Sequence, residues 1–243
     1  METININQRN IPFELRRSIR AKRLRLQIET DEPKLVVVAP RYAMRFQIDS
    51  FMKRQEKWIE RHWIKTAGKI AKKPKQNQED GDTYFYFGES LTLKLIPSLS
   101  WKPTARVNGN LLEVTVHKAS SLAEGKKAIK GAIQDFYKSK ASEVIHDRLG
   151  VYSEHYGLSY KKVTFRNQKT RWGSCSSAKN LNFNWRLIMA PIEIIDYVVI
   201  HELCHLKYMN HSPAFWGLVG EAVKDYKERR KWLKENSYLL SIT

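Results

Sequence analysis

Four side chains near one end of the chain have the types and spacing of a metal-dependent reaction centre. The stretch HELCHLKYMNHSPAFW, His201 to Trp216, sets His201 and His205 at i and i+4, with Glu202 beside the first and His211 further on. Residues four apart on a helix lie only about 40° from each other around its axis. Their two imidazoles can therefore reach one ion, at zinc–nitrogen distances of about 2.0–2.1 Å. Glu202, about 100° further round, can touch a water on that ion without ligating the ion itself. On a continuing helix His211 would face away, about 240° round from His205. The sequence YMNHSP breaks the helix instead: Asn210 tolerates a left-handed backbone, and Ser212-Pro213 starts a new helix. A chain turning between Lys207 and Ser212 returns His211 to the metal, and three neutral imidazoles plus one water make a catalytic zinc site with an open position.

The competing reading makes His201 and His205 ordinary core histidines. A chain of this composition would show HExxH with a third histidine at a metal-compatible spacing only a few times in ten thousand, roughly. The flanking pattern also fits a metal site, because PIEIIDYVVIHELCHLK from Pro191 is an apolar helix of the kind that crosses a core. Should His211 not ligate, Glu221 on the following helix is the substitute.

The elements that must position these residues read as follows. RLRLQIE and KLVVVAP are strands separated by the turn TDEP. DSFMKRQEKWIERHWIK is a helix capped by Asp49 or Ser50, and residues 68–82 form a polar loop or linker. TYFYFG, SLTLKLI, TARVNGN and LLEVTVH are strands, the last two joined as a hairpin at Asn108-Gly109. A helix spans about 121–150, with short strands in KKVTFRN, TRWGSC and NLNFNWRLI. Three helices close the chain, from Pro191 to about Lys207, from Ser212 to about Tyr226, and one ending near Asn236. The fold class expected is α+β: a mainly β unit with one helix over 1–120, then an α+β unit over 121–243 that holds the histidines. No repeat of 20–50 residues is evident.

Composition bounds the rest. A 243-residue chain that is 42% hydrophobic is globular, and it has no run near the roughly 18 apolar residues of a membrane span. METININQRN lacks the apolar segment of a signal peptide, and two cysteines make no disulfide framework. A cytoplasmic, membrane-free setting is expected. The net charge of +18 divides into +10 over residues 1–120 and +8 over 121–243, densest in RRSIRAKRLR, Arg16 to Arg25. Such a surface attracts phosphate, so non-specific nucleic-acid binding is weighed against a merely solvated basic face. No base-reading motif accompanies it.

RWGSC (Arg171–Cys175), NFNWRLIMAP and YVVIHELCHLKYMNHSPAFW together resemble the YgjP-like metal-dependent hydrolase family, related to zincin metallopeptidases of the SprT/Spartan type. The resemblance runs from about Thr164 to Leu233 and more loosely through the N-terminal half. It implies a zincin-like domain with a small sheet beside the HExxH helix, metal ligands His201, His205 and His211, and Glu202 as the catalytic carboxylate. The spacing also equals that of metzincins, but Tyr208 replaces their turn glycine and no later Met-turn motif follows. In a zincin the strand beside the helix lines the substrate groove, which makes Arg171 and Trp172 groove candidates; Arg171 packed on Trp172 or Trp185 is the alternative. Tyr208 and Asn210, beside His211, are candidate oxyanion donors or simply turn residues. Cys175 is a ligand, a nucleophile or a buried thiol, the last favoured by three histidines already in hand. Cys204 reads as core, and His62, His117, His146 and His155 as surface or helix-face residues.

These readings converge on a zinc-dependent hydrolase, with another divalent transition metal as the alternative cofactor. Peptide or protein is the first substrate class, and nucleoside-triphosphate pyrophosphohydrolysis the second. A nucleic-acid-associated module with structural zinc comes third, because structural zinc sites have four protein ligands, often thiolates.

Overall fold

The computed structural model describes residues 2–29, 34–71, 73–74, 76–119, 121–168 and 171–242. The chain divides into two compact units, Met1–Lys73 and Pro74–Thr243. Both carry sheets and helices, as the α+β class requires.

The first unit builds a four-stranded sheet from β1 (Glu2–Ile6), β2 (Arg9–Ser18), β3 (Arg25–Glu29) and β4 (Lys34–Pro40), in the order β1-β2-β4-β3. β1 and β2 pair antiparallel, as do β3 and β4, while β2 runs parallel to β4. β4 is a continuous apolar run because it is central, with Leu35, Val37 and Ala39 buried in a core that also holds Ile48, Met52 and Ile59. The turn read in TDEP lies outside the described residues. The single helix expected from Asp49 is two helices, α1 (Arg45–Arg54) and α2 (Glu56–Ala71). α1 starts earlier than its Asp and Ser signals implied, because Met44 is the cap residue and the Gln47 side chain accepts from its backbone N–H at 2.9 Å. α2 also runs into the stretch assigned to the polar loop.

The second unit repeats the same strand pattern. β5 (Thr83–Tyr86), β6 (Glu89–Ser98), β7 (Ala105–Asn108) and β8 (Leu111–His117) form a sheet in the order β5-β6-β8-β7, again antiparallel, parallel, antiparallel. The sequence shows no repeat because pairing topology constrains only alternation and turns, not residue identity. The expected hairpin is present, with Gly109 at φ +58° in its turn.

Then follows α3 (Leu122–His155), started by a capping box in which Ser121 and Glu124 bond each other reciprocally. A three-stranded sheet of β9 (Lys162–Arg166), β10 (Gly173–Cys175) and β11 (Asn180–Asn184) has the order β10-β11-β9, so β10 is an edge strand. A 3-10 helix (Trp185–Met189) leads to α4 (Ile192–Cys204), α5 (Pro213–Ala222) and α6 (Tyr226–Asn236).

The division falls at 73/74 and not near residue 120, and the packing explains the difference. Tyr84, Leu93, Leu112 and Val114 share one core with Ile133 and Tyr137 of α3 and Ile195 of α4. Phe87 and Gly88 donate their backbone N–H groups to the carbonyls of Ile188 and Met189 at 2.9 and 3.1 Å, and Tyr137 donates its hydroxyl to the Phe85 carbonyl at 2.9 Å. The second sheet therefore belongs with the helices.

Candidate metal centre

α4 is apolar nearly all round because it crosses the core: Ile194, Ile195, Val198, Val199 and Leu203 are buried. It ends at Cys204, with His205 as the capping residue, and the chain turns until Ser212 restarts it. The Ser212 hydroxyl accepts from the Phe215 N–H at 3.4 Å, and Pro213 opens α5. The expected break is present, although Asn210 is not among the described residues with positive φ, so the turn does not depend on a left-handed residue there.

This turn carries His211 back over α4. The ligand atoms of His201, His205 and His211 lie within 4.8 Å of one another, with Nε2 of His201 and Nε2 of His211 3.1 Å apart. Two nitrogens on one tetrahedral zinc are separated by about 3.3 Å, so the pair is already at ligand spacing. His205 donates Nδ1–H to the Tyr208 carbonyl at 2.9 Å, which fixes the tautomer and leaves the Nε2 lone pair for an ion. Burial and the neighbouring imidazoles push the His201 pKa down to about 3, and burial likewise lowers that of His211. Neutral imidazoles are the form that binds metal, so the donor set fits a divalent ion.

The rings are held by a side chain that the histidine motif does not include. Phe215, fully buried on α5, stacks on His205 with centroids 4.4 Å apart and meets His201 and His211 edge-on at 4.9 Å. Trp216 stacks on His211 at 5.4 Å and on Tyr226 at 5.3 Å, and the Arg230 guanidinium lies 5.0 Å above its ring. The signal in the sequence was the aromatic pair Phe215-Trp216 about one turn after His211, to which its spacing alone assigned no role.

Glu202 is 4% exposed and its Oε2 has no hydrogen-bond partner among the described residues. Burial raises its pKa to about 8, against the lowering effect of the Arg171 charge. Gly173 of β10 abuts it: a Cβ at that position would lie 2.5 Å from Oε1 and 2.6 Å from Cγ of Glu202. Only glycine leaves room for the carboxylate, a constraint that the RWGSC stretch contained but periodicity could not reveal.

A hollow of about 500 Å³ opens over this group. Arg171, Trp172 and Cys175 line it; Tyr208 and Asn210 do not, and Tyr208 serves the site through its carbonyl. Burial, reinforced by Glu202, raises the Cys175 thiol to about 11, and burial alone raises buried Cys204 to about 12. Both stay thiols at neutral pH; Cys204 is buried in the core as read, whereas Cys175 is half-buried and faces the hollow. Glu221 is exposed and is not in the ligand cluster.

A helix-borne histidine pair, a returning third histidine, and a buried carboxylate beneath an edge strand define the class, a metal-dependent hydrolase. The family comparison is specific. The model of the family described as YgjP-like, metallopeptidase domain matches residues 22–236, and the chain belongs to that family. Among solved structures, the metallopeptidase zymogen of Pyrococcus abyssi abylysin is similar at 26% identity, over 37% of this chain and 93% of that one, with a TM-score of 0.34. The zymogen of Methanocaldococcus jannaschii jannalysin is similar at 19% identity, over 40% of this chain and 96% of that one, with a TM-score of 0.33. A search of curated proteins finds no match. Among the described residues, no helix is long and apolar enough to cross a membrane.

Proposed function

We propose that the protein is a zinc-dependent peptidase in which His201, His205 and His211 hold the ion and Glu202 moves the proton. The observation that carries this reading is the convergence of three imidazoles beside a buried carboxylate whose Oε2 has no partner among the described residues. A zinc ion bound there supplies a Lewis acid and lowers the pKa of its water toward about 7. Glu202 accepts a proton at its free Oε2 and returns it to the leaving amine. Arg171 favours the ionised carboxylate that must be present before the first transfer. Trp172 forms part of the wall of the hollow, and β10, an edge strand among the described residues, is where an extended peptide would add to the sheet.

Arg171 at the hollow is also the one observation that favours the second reading, a nucleoside-triphosphate pyrophosphohydrolase, since a guanidinium meets a phosphate as readily as a carboxylate. The deciding experiment incubates zinc-loaded protein with a denatured protein pool and, separately, with a panel of nucleoside triphosphates. Cleavage of the protein pool alone is expected, and release of pyrophosphate alone would replace this reading with the second. Glu202→Gln should retain zinc by metal analysis yet lose at least about 10²-fold in rate, whereas any of the three His→Ala variants should lose zinc and activity together. A zinc-replete Glu202→Gln protein with full activity would remove Glu202 from the chemistry.

A further inference from the structure

The densest positive charge of the chain lies outside the histidine centre, in the first unit. There a hollow of about 400 Å³ forms between the β2–β3 connection, the turn after β4 and one face of α1. Lys22, Arg23 and Arg54 line it, and no carboxylate does. None of the three has a carboxylate partner among the described residues, although the neighbouring Arg16 and Arg45 are paired, with Glu14 and with Glu2 and Asp49. These three charges are therefore available to an outside anion.

Two aromatic rings stand in the same hollow. Tyr42 is 77% exposed and Phe46 64% exposed, large apolar surface left in water at a site rich in cations. The turn that presents Tyr42 is braced: the Arg17 guanidinium donates to the carbonyls of Arg41 and Ala43 at 3.0 and 2.8 Å, and the Ala43 N–H donates to Pro40 at 3.1 Å. The ring is thus held on a fixed backbone before any ligand arrives, which limits the ordering cost of binding.

We propose that this hollow binds single-stranded nucleic acid, with bases on Tyr42 and Phe46 and backbone phosphates on Lys22, Arg23 and Arg54. Cations alone would suit any polyanion. Paired with exposed rings they suit a strand whose base faces are open, which a duplex buries in its own stack. An anionic bilayer would take the same exposed rings as apolar tips, and the vesicle arm of the test separates that occupant from a strand. No base-edge reader accompanies the rings, so binding tolerates sequence.

The test uses the full chain with fluorescein-labelled oligo(dT), the matching duplex, and phosphatidylserine vesicles, at several salt concentrations. The single strand should bind more tightly than the duplex, with affinity falling steeply as salt rises. The combined substitution Lys22→Ala, Arg23→Ala and Arg54→Ala should flatten the log–log salt slope by about 2. Tyr42→Ala with Phe46→Ala should lower single-strand affinity at least about tenfold and leave the salt slope nearly unchanged. Because both rings are exposed, that variant should keep wild-type circular dichroism. Ultraviolet cross-linking of oligo(dT) to the unsubstituted protein gives a second measurement, with adducts expected on peptides containing Tyr42 or Phe46. Equal affinity for duplex and single strand, binding to vesicles alone, or adducts confined to other peptides would overturn the proposal.

Discussion

Gly173 and Glu202 show how the place of a buried carboxylate can depend on an atom that is absent. A Cβ at position 173 would sit 2.5 Å from Oε1 of Glu202, well inside contact distance. Gly173→Ala should therefore drive the carboxylate out of its place while leaving His201, His205 and His211 as they are. Zinc content measured by metal analysis should stay at the wild-type level, and hydrolysis should fall by about 10²-fold, like Glu202→Gln. Simple destabilisation of β10 would instead lower the melting temperature with little effect on the rate of the folded fraction. The same packing explains the raised pKa of Glu202, because the close approach of β10 excludes the water that would solvate its charge. Arg171 opposes that effect, so Arg171→Ala should further disfavour the ionised base and move the rising limb of the pH–rate profile upward.

Among the elements, the α4–α5 turn does the assembling. His201 and His205 share a helix face whatever follows, but His211 reaches them only because α4 stops at Cys204 and Ser212 restarts the chain. Ser212→Ala removes the hydroxyl that accepts from the Phe215 N–H and should cost about 1 kcal/mol, measured by chemical denaturation. Zinc affinity should weaken as well, since the lost cap loosens the segment that places His211, the proposed third ligand. A change in stability with unaltered zinc affinity would show that Phe215 and Trp216 alone fix the turn. Phe215 packs against all three imidazoles, and its removal should be the more severe, by about 3–5 kcal/mol.

For the molecule as a whole, the consequential feature is where one core ends and the next begins. Residues 74–243 share a core that runs from the β5–β8 sheet through α3 to α4, while the first unit closes its own around β4 and the two helices after it. A fragment of residues 74–243 should fold cooperatively and bind zinc with wild-type stoichiometry. A fragment of residues 121–243 should not, because it strips Tyr84, Leu93, Leu112 and Val114 from the face of α3 that buries Ile133 and Tyr137. Thermal unfolding followed by circular dichroism, with metal analysis of each fragment, distinguishes a boundary near 74 from one near 120.

Local pattern carried much of this protein. Apolar periodicity and turn residues marked most strands and helices, including the Asn108-Gly109 hairpin, the Ser121 start of α3 and the break before Ser212, because each depends on neighbours within a few residues. HExxH likewise placed two histidines on one face through helix geometry alone. Long-range packing decided what such patterns do not encode. The sheet of β5–β8 joined the helical part through hydrogen bonds from Phe87 and Gly88 to a segment about a hundred residues later, so the change from strands to helix near residue 120 was no boundary. Gly173 met Glu202, and Phe215 met three imidazoles, only once separate elements had packed. Contacts of that kind are fixed by the relative positions of whole elements, which no spacing within one element can specify.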